Sequence, residues 1–462
     1  MRIFKPHGYQ QRGLDFLNKT PKAALFIDMG LGKTGISLSY IKGLKSSKPV
    51  LIVAPLVVAH GTWQQEIAKW DNFKHLSSTI LHGKNKVKNY KKDFDIYIIN
   101  YDGLAWLHDE ITKTKTLKFD TIICDESSKL KSHKSKRTKI AQKIANSVER
   151  VVLLSASPAP NGHLDLFSQY KLLDKGLRLG STITGYRKKY FNEIGWQFKK
   201  YELKEKAKEQ IVSKVSDITF RIDNTELPNV PHLEQNIVRF ALSAPVRKQY
   251  DLLEKEMFLQ LEDLDDGIEV FNAAALTSKC RQFTQGFLYY KNEETLEREV
   301  VKIHREKLEW LKEIVDAMQS EPIIIAYNFQ YELEMIKNEF GENLFVIGSG
   351  SKAEDIRRIE KLWNERNIPI LVCNCLSVSH GLNLQKGGHN IVWFSLTYSY
   401  EHYSQLIGRL HRQGQKNKVH NHILIAENTI DELVLAKLNA KKDGQQAFLD
   451  ALYKYQHRKA KL

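Results

Sequence analysis

Cysteine is scarce in this chain: Cys124, Cys280, Cys373 and Cys375 are the four in 462 residues, and their spacing suits neither a disulfide framework nor a zinc site. Three of them stand in apolar runs, IICDE and ILVCNCL, where a reduced, buried thiol is expected. No apolar run approaches the roughly 18 residues of a membrane span, and the first residues, MRIFKPHGYQ, hold no apolar signal core. Short-period repeats and low-complexity tracts are also missing, which argues against a solenoid or a fibrous chain. Acidic residues are in deficit, 54 Asp and Glu against 70 Lys and Arg, and the resulting charge of +16 favours a polyanionic partner, with nucleic acid first among them. A chain reduced, soluble and intracellular is the expectation.

What the sequence does have is a repeated rhythm. AALFID, VLIVAP, DIYIIN, TIICDE and RVVLLSA are continuous in Val, Ile and Leu rather than alternating, as strands of a parallel sheet covered on both faces should be. Helix-length segments such as TGISLSYIKGL and TWQQEIAKW separate them, so the fold class expected is α/β with a doubly wound sheet. A second series follows residue 320, with PIIIAYN, NLFVIGS, IPILVCN, NIVWFSL and NHILIAE as strands. Two domains are therefore expected, 1–228 and 229–462, joined near Pro228 to His232 in the proline-bearing stretch TELPNVPHLEQN. Residues 165–310 are charged, aromatic and mostly helical in pattern.

The run LFIDMGLGKTGIS has a strand, a turn with Gly30 and Gly32, then Lys33, Thr34 and a helix. Such a turn surrounds a phosphate with backbone N–H groups at a helix N-terminus; Lys33 would meet the β and γ phosphates and Thr34 would ligate magnesium. Ile27 stands where the usual pattern has its first glycine. FDTIICDESS ends a second strand on Asp125 and Glu126, the pairing that a metal-positioning carboxylate and a neighbouring base require. In the second series YSQLIGRLHRQGQ carries Arg409 and Arg412 three apart, expected on one face of a helix and able to answer charge on a γ-phosphoryl group.

Taken in order, these motifs resemble helicase superfamily two and, within it, the Swi/Snf-like DNA translocases. The resemblance runs from HGYQQRGLDFL to ENTIDELVLAKL, and includes DMGLGKT, LIVAPLVVAHGTWQQEIAKW, INYDGL, DESS, LLSASPAPNG, IIIAYNFQYELEMI, SVSHGLNLQKGGHNIVWF and QLIGRLHRQGQ as motifs I, Ia, Ib, II, III, IV, V and VI. It implies two RecA-like domains in tandem with helical protrusions inserted between motifs III and IV, at about 165–225 and 240–315. It further implies ATP and Mg2+ as cofactors, Gln10 as the adenine reader, Lys33 and Thr34 on phosphate and metal, Asp125 on the metal and Glu126 as the base. Arg409 and Arg412 become arginine fingers, with Gln405 beside them, and Gly381 and Asn383 link DNA contact to the nucleotide. Two departures stand out: Ser127 and Ser128 replace the Ala-His or Gly-His that normally ends motif II, and Ser155-Ala156-Ser157 replaces a Gly-Thr core in motif III.

Directly after motif II comes KLKSHKSKRTK, whose Lys129, Lys131, Lys134, Lys136 and Arg137 match a basic segment of the family that faces the phosphate backbone. GYRKKYFNEIGWQFKKYELKEK interleaves aromatic and basic residues, which suits either stacking on single-stranded bases or core aromatics with snorkelling lysines. The expected activity is an ATP-dependent translocase on duplex DNA, acting as a monomer in the cytoplasm of a bacterial or phage-infected cell in replication, recombination or repair. The alternatives are a strand-separating or branch-migrating helicase at forks and junctions, and a DNA-binding scaffold with a degenerate ATPase. The last is opposed by the presence of Lys33, Asp125, Glu126, Arg409 and Arg412 together.

Overall fold

The computed structural model describes residues 2–28, 30–194, 200–222, 230–262, 269–291, 297–319, 321–378 and 382–459. The chain divides into two compact units, Met1–Pro228 with Lys441–Leu462, and Asn229–Ala440. In the first unit the strands are β1 (Lys22–Ile27), β2 (Val50–Ala54), β3 (Ser78–Ile80), β4 (Ile96–Asn100), β5 (Thr121–Asp125) and β6 (Arg150–Ser155), then a hairpin of β7 (Phe191–Ile194) and β8 (Lys200–Leu203), then β9 (Thr219–Ile222). Seven of them form one sheet in the order β3-β4-β2-β5-β6-β1-β9, with every neighbouring pair parallel. β2 and β5 are buried at every residue, so their continuous apolar runs reflect cover on both faces.

The second unit holds β10 (Leu233–Phe240), a hairpin of β11 (Phe287–Lys291) and β12 (Arg298–Lys302), then β13 (Ile323–Tyr327), β14 (Phe345–Ile347), β15 (Ile370–Asn374), β16 (Asn390–Trp393) and β17 (Val419–Ala426). Its sheet runs β10-β17-β16-β13-β15-β14, again all parallel. Alternate residues of one strand feed opposite cores. Ile324 and Ala326 of β13 join Trp363, Trp393 and Leu406 on one face, while Ile323, Ile325 and Tyr327 join Phe287, Leu311 and Ile336 on the other. All four cysteines are buried and free, and burial pushes the Cys124 thiol up to about 12 and that of Cys280 to about 11.

The ten strands read from the sequence are present, and three members of the two sheets are additional: β3, β9 and β10. β3 and β9 have three and four residues, too few for a run to stand out. β9 also places a sheet strand inside the region expected to be a helical protrusion, and the two hairpins add further strands to residues 165–310. β10 begins in the stretch expected to be linker: the His232 carbonyl already accepts the Val419 N–H at 3.1 Å, and the pairing runs on to Phe240. Its LEQNIVRF is not apolar because β10 is the sheet's edge and buries only Phe240 fully. The C-terminal stretch expected in the second domain clusters with the first unit from Lys441 onward, where Leu449 joins the core of Leu153, Phe167 and Ile211. Among the described residues no helix is long and apolar enough to cross a membrane.

Lys307 and Asp431 form a buried ion pair in the second unit. Lys307 Nζ is 2.5 Å from Asp431 Oδ2, with the lysine side chain fully buried. Thr284 Oγ1 donates to Asp431 Oδ1 at 3.1 Å, and the Ala426 N–H donates to Oδ2 at 3.3 Å. Removing one partner strands a buried charge, so Asp431→Ala and Lys307→Ala are each expected to destabilise this unit by about 3–5 kcal/mol. The double substitution should cost less than the sum, as read from denaturant unfolding of the four proteins.

Candidate active site

In a parallel sheet every strand delivers its following loop to the same edge. β1, β2, β4, β5 and β6 deliver motifs I, Ia, Ib, II and III there, and because β6 lies between β5 and β1, motif III hangs between motif II and the phosphate loop. The loop leaves β1 at Ile27, and its helix, Lys33–Gly43, starts at Gly32. Gly30 and Gly32 have φ of 83° and 78°, the left-handed region that a side chain disfavours. At Gly32 a Cβ would also sit 2.3 Å from Gln10 Nε2. Gln10 is buried over the loop: its Oε1 accepts the His7 N–H at 2.9 Å and its Nε2 donates to the Leu31 carbonyl at 3.0 Å. Lys33 Nζ reaches the Ile27 carbonyl at 3.4 Å, so the residue in the place of the missing glycine contributes through its backbone. Thr34 occupies the second position of the helix.

The acidic residue of DMGLGKT is held from a distance in sequence. Arg221 of β9 grips Asp28 with two nitrogens, Nη1 to Oδ1 at 2.5 Å and Nη2 to Oδ2 at 3.1 Å, and Nη1 also reaches the carbonyls of Phe26 and Ile222 at 3.3 and 2.7 Å. Only 2% of the Arg221 side chain is exposed. No motif marked this arginine; its partner is 193 residues away.

Asp125 and Glu126 stand at the end of β5. Burial and then the charge of Glu126 push the Asp125 carboxyl up to about 6, against the pull of Lys33 and of the Trp63 indole, whose N–H donates to Oδ2 at 3.1 Å. A cation placed there would relieve that strain. Among the described residues no three His, Cys, Asp or Glu side chains are grouped to cage a metal, so a cation at Asp125 would draw most of its ligands from phosphate and water, the habit of magnesium. Glu126 is left-handed at φ 56° and ψ 57°, a conformation that costs a residue with a side chain on the order of 1–3 kcal/mol. The buried Tyr101 hydroxyl clasps the turn, donating toward the carbonyls of Asp125 at 2.7 Å and Glu126 at 3.3 Å. Trp63 and Tyr101 lay within quoted motifs, TWQQEIAKW and INYDGL, but nothing in one sequence says what they touch.

In the second unit, motifs V and VI meet around Glu360. Its Oε1 accepts the Asn383 N–H at 2.8 Å; burial raises its carboxyl, while that hydrogen bond and then Arg409, Arg412 and Arg357 lower it. Arg409 lies near the end of the helix Tyr400–Leu410 and donates from Nη1 to the Leu382 carbonyl at 3.2 Å. Arg412 is not on that helix, contrary to the spacing argument. The helix stops at Leu410 because His411 turns its ring to the Pro231 carbonyl at 2.8 Å and its ψ to 85°, so Arg412 belongs to the turn that follows. Gln405 is buried, and its Oε1 accepts no hydrogen bond. Gly381 lies outside the described residues.

The basic segment after motif II forms a 3-10 turn, Ser127–Leu130, then a helix, Lys136–Ser147, capped by Ser135, whose Oγ accepts the Thr138 N–H at 3.3 Å. Lys134, Lys136 and Arg137 are exposed, and Lys129 and Lys131 half-buried. Burial lowers the His133 imidazole below its ordinary value, and the nearby charges of Arg187, Lys134, Lys139 and Lys171 lower it further. Of the aromatic residues in the second basic stretch, Tyr186, Tyr190 and Phe191 are core, which excludes them from stacking on bases; Trp196 and Phe198 lie outside the described residues.

Over residues 9–285 the chain matches the family model of the SNF2-related domain, and over 306–414 that of the helicase conserved C-terminal domain. It is 33% identical to protein p41 of Acyrthosiphon pisum secondary endosymbiont phage 1, across 98% of this chain and 99% of that one. To YwqA of Bacillus subtilis it is 27% identical, across 94% of this chain and 48% of the relative. To the human DNA annealing helicase and endonuclease ZRANB3 it is 24% identical, across 94% of this chain and 39% of the relative, so it spans half or less of these two longer proteins. A solved structure, the Sulfolobus solfataricus SWI2/SNF2 ATPase core in complex with dsDNA, aligns over 97% of this chain and 95% of that one at 22% identity and a TM-score of 0.44. The chain belongs to the SNF2-related family, the DNA-dependent ATPases of helicase superfamily two.

Proposed function

We propose that this protein hydrolyses ATP with magnesium and uses the energy to move along duplex DNA without reading its sequence. The observation that carries the reading is the gathering of Lys33, Asp125 and Glu126 at one edge of the sheet, after β1 and β5 with only β6 between them, and with a glycine turn and a helix N-terminus beside them. The backbone around Gly30 and Gly32 holds the phosphates, and Lys33 neutralises the β and γ groups. Gln10 reads the adenine edge. Thr34 and Asp125 hold the magnesium, which when bound draws charge off the transferring phosphoryl group. Glu126 takes a proton from the attacking water. Arg409 and Arg412 act as arginine fingers supplied by the second unit, with Gln405 beside them, and Gly381 and Asn383 join that response to DNA.

The DNA track is the positive surface of Lys129, Lys131, Lys134, Lys136 and Arg137, where contact goes to phosphates. A relative named as a DNA annealing helicase and another, from Saccharomyces cerevisiae, named as a DNA repair and recombination protein support DNA as the partner. The phage relative, matched end to end, supports a role in the DNA metabolism of a phage or its bacterial host.

Duplex DNA is expected to raise ATP turnover by at least about tenfold, and Lys33→Ala to abolish it without loss of fold. Turnover indifferent to DNA would sink the motor reading, whereas unwinding of forks or four-way junctions would assign the protein to strand separation. A second measurement concerns the phosphate loop. Arg221→Lys keeps the charge but loses the two-pronged grip on Asp28, so KM for ATP should rise about three- to tenfold while kcat changes less. A fall in kcat at constant KM would refute that assignment.

A further inference from the structure

Motif II in this chain has Ser127 where its relatives' pattern has Ala or Gly, and the structure gives the hydroxyl a partner. Ser127 Oγ donates to Gln169 Oε1 at 2.8 Å. Gln169 stands on the helix Leu166–Asp174 that follows motif III, and its Nε2 donates to the carbonyls of Pro158 at 2.6 Å and Asp165 at 2.9 Å. Those two acceptors fix the amide's orientation, because a carbonyl needs a donor, and this leaves Oε1 facing the serine. Both side chains are completely buried. Pro158 ends the Ser155-Ala156-Ser157-Pro158 turn, itself closed by the Ser157 N–H on Ser155 Oγ at 3.0 Å. One amide therefore spans the gap between the motif III turn and the residue beside Glu126.

We propose that Gln169 is a positioning residue for hydrolysis: through Ser127 it ties the motif III turn to Glu126, so that a shift of the turn re-aims the carboxylate at its water. The inference rests on Glu126 being the base. Ser127 neighbours a left-handed residue whose conformation needs outside support, so a pull on Ser127 acts directly beside the strained residue of that turn. Alanine or glycine at 127 has no donor and forms no such tie.

The test compares wild type, Ser127→Ala, Gln169→Met and the double variant in ATP turnover with and without duplex DNA, together with Tm and amide hydrogen exchange. Each single change breaks the Ser127–Gln169 bond and is expected to lower kcat about three- to tenfold with KM for ATP unchanged, the span of that one buried hydrogen bond; Gln169→Met also frees the Pro158 and Asp165 carbonyls and should lower Tm further. Exchange at residues 126–130 and 155–157 should quicken together. The double variant removes the serine hydroxyl that Gln169→Met leaves without its acceptor, so its loss of Tm should be smaller than the sum of the single losses while kcat stays low, the Pro158 and Asp165 carbonyls still lacking their amide donor. Recovery of kcat together with Tm, additive losses in the double variant, or exchange that quickens in one segment alone would each overturn the proposal. Wild-type turnover that ignores DNA would count against the motor alone, since the relay is read equally from basal kcat and from exchange.

Discussion

A parallel sheet covered on both faces exposes only its ends, and nearly everything functional in this protein follows from that restriction. The apolar strands leave no room for chemistry along their lengths. Four of them carry polar groups to the C-terminal edge: Lys33 after β1, Tyr101 after β4, Asp125 and Glu126 at β5, Ser155 at β6. Strand order then decides which of these become neighbours. With β6 between β5 and β1, the motif III turn lies between the glycine loop after β1 and the Asp125–Glu126 pair. No rearrangement of side chains could achieve this in a sequentially ordered sheet, where β1 and β5 would lie far apart.

The cost of concentrating charge at such an edge appears in Asp125. Two carboxylates side by side in a buried turn repel one another, and the protein tolerates this with one ammonium, one indole N–H and a strained backbone at Glu126. A cation beside Asp125 would relieve that repulsion. The same logic explains why its supports are uncharged: Trp63, Tyr101, Ser127 and Gln169 supply hydrogen bonds without further altering the balance of charge.

Much of this was legible in the sequence, for reasons that particular residues make plain. Strands such as TIICD and RVVLL announce themselves because burial on both faces demands unbroken apolar runs. The phosphate loop and DESS are legible because their chemistry is local, a few consecutive residues at a strand end. What was hidden depends on partners far along the chain. Arg221 lies in a four-residue strand and acts on Asp28, and Gln169 resembles any polar residue of a helix until Pro158 and Ser127 are seen against it. Arg412 shows the opposite failure: a helical spacing was carried past His411, whose bond to Pro231 across 180 residues ends the helix.

The cysteines have a practical consequence. All four are buried, and burial raises every thiol, Cys373 and Cys375 most of all, so none supplies a thiolate near neutral pH. The native chain is therefore expected to react slowly with maleimide dyes. One exposed residue in each unit exchanged for cysteine should then label well ahead of the native thiols, ready for watching the two halves during turnover by single-molecule energy transfer.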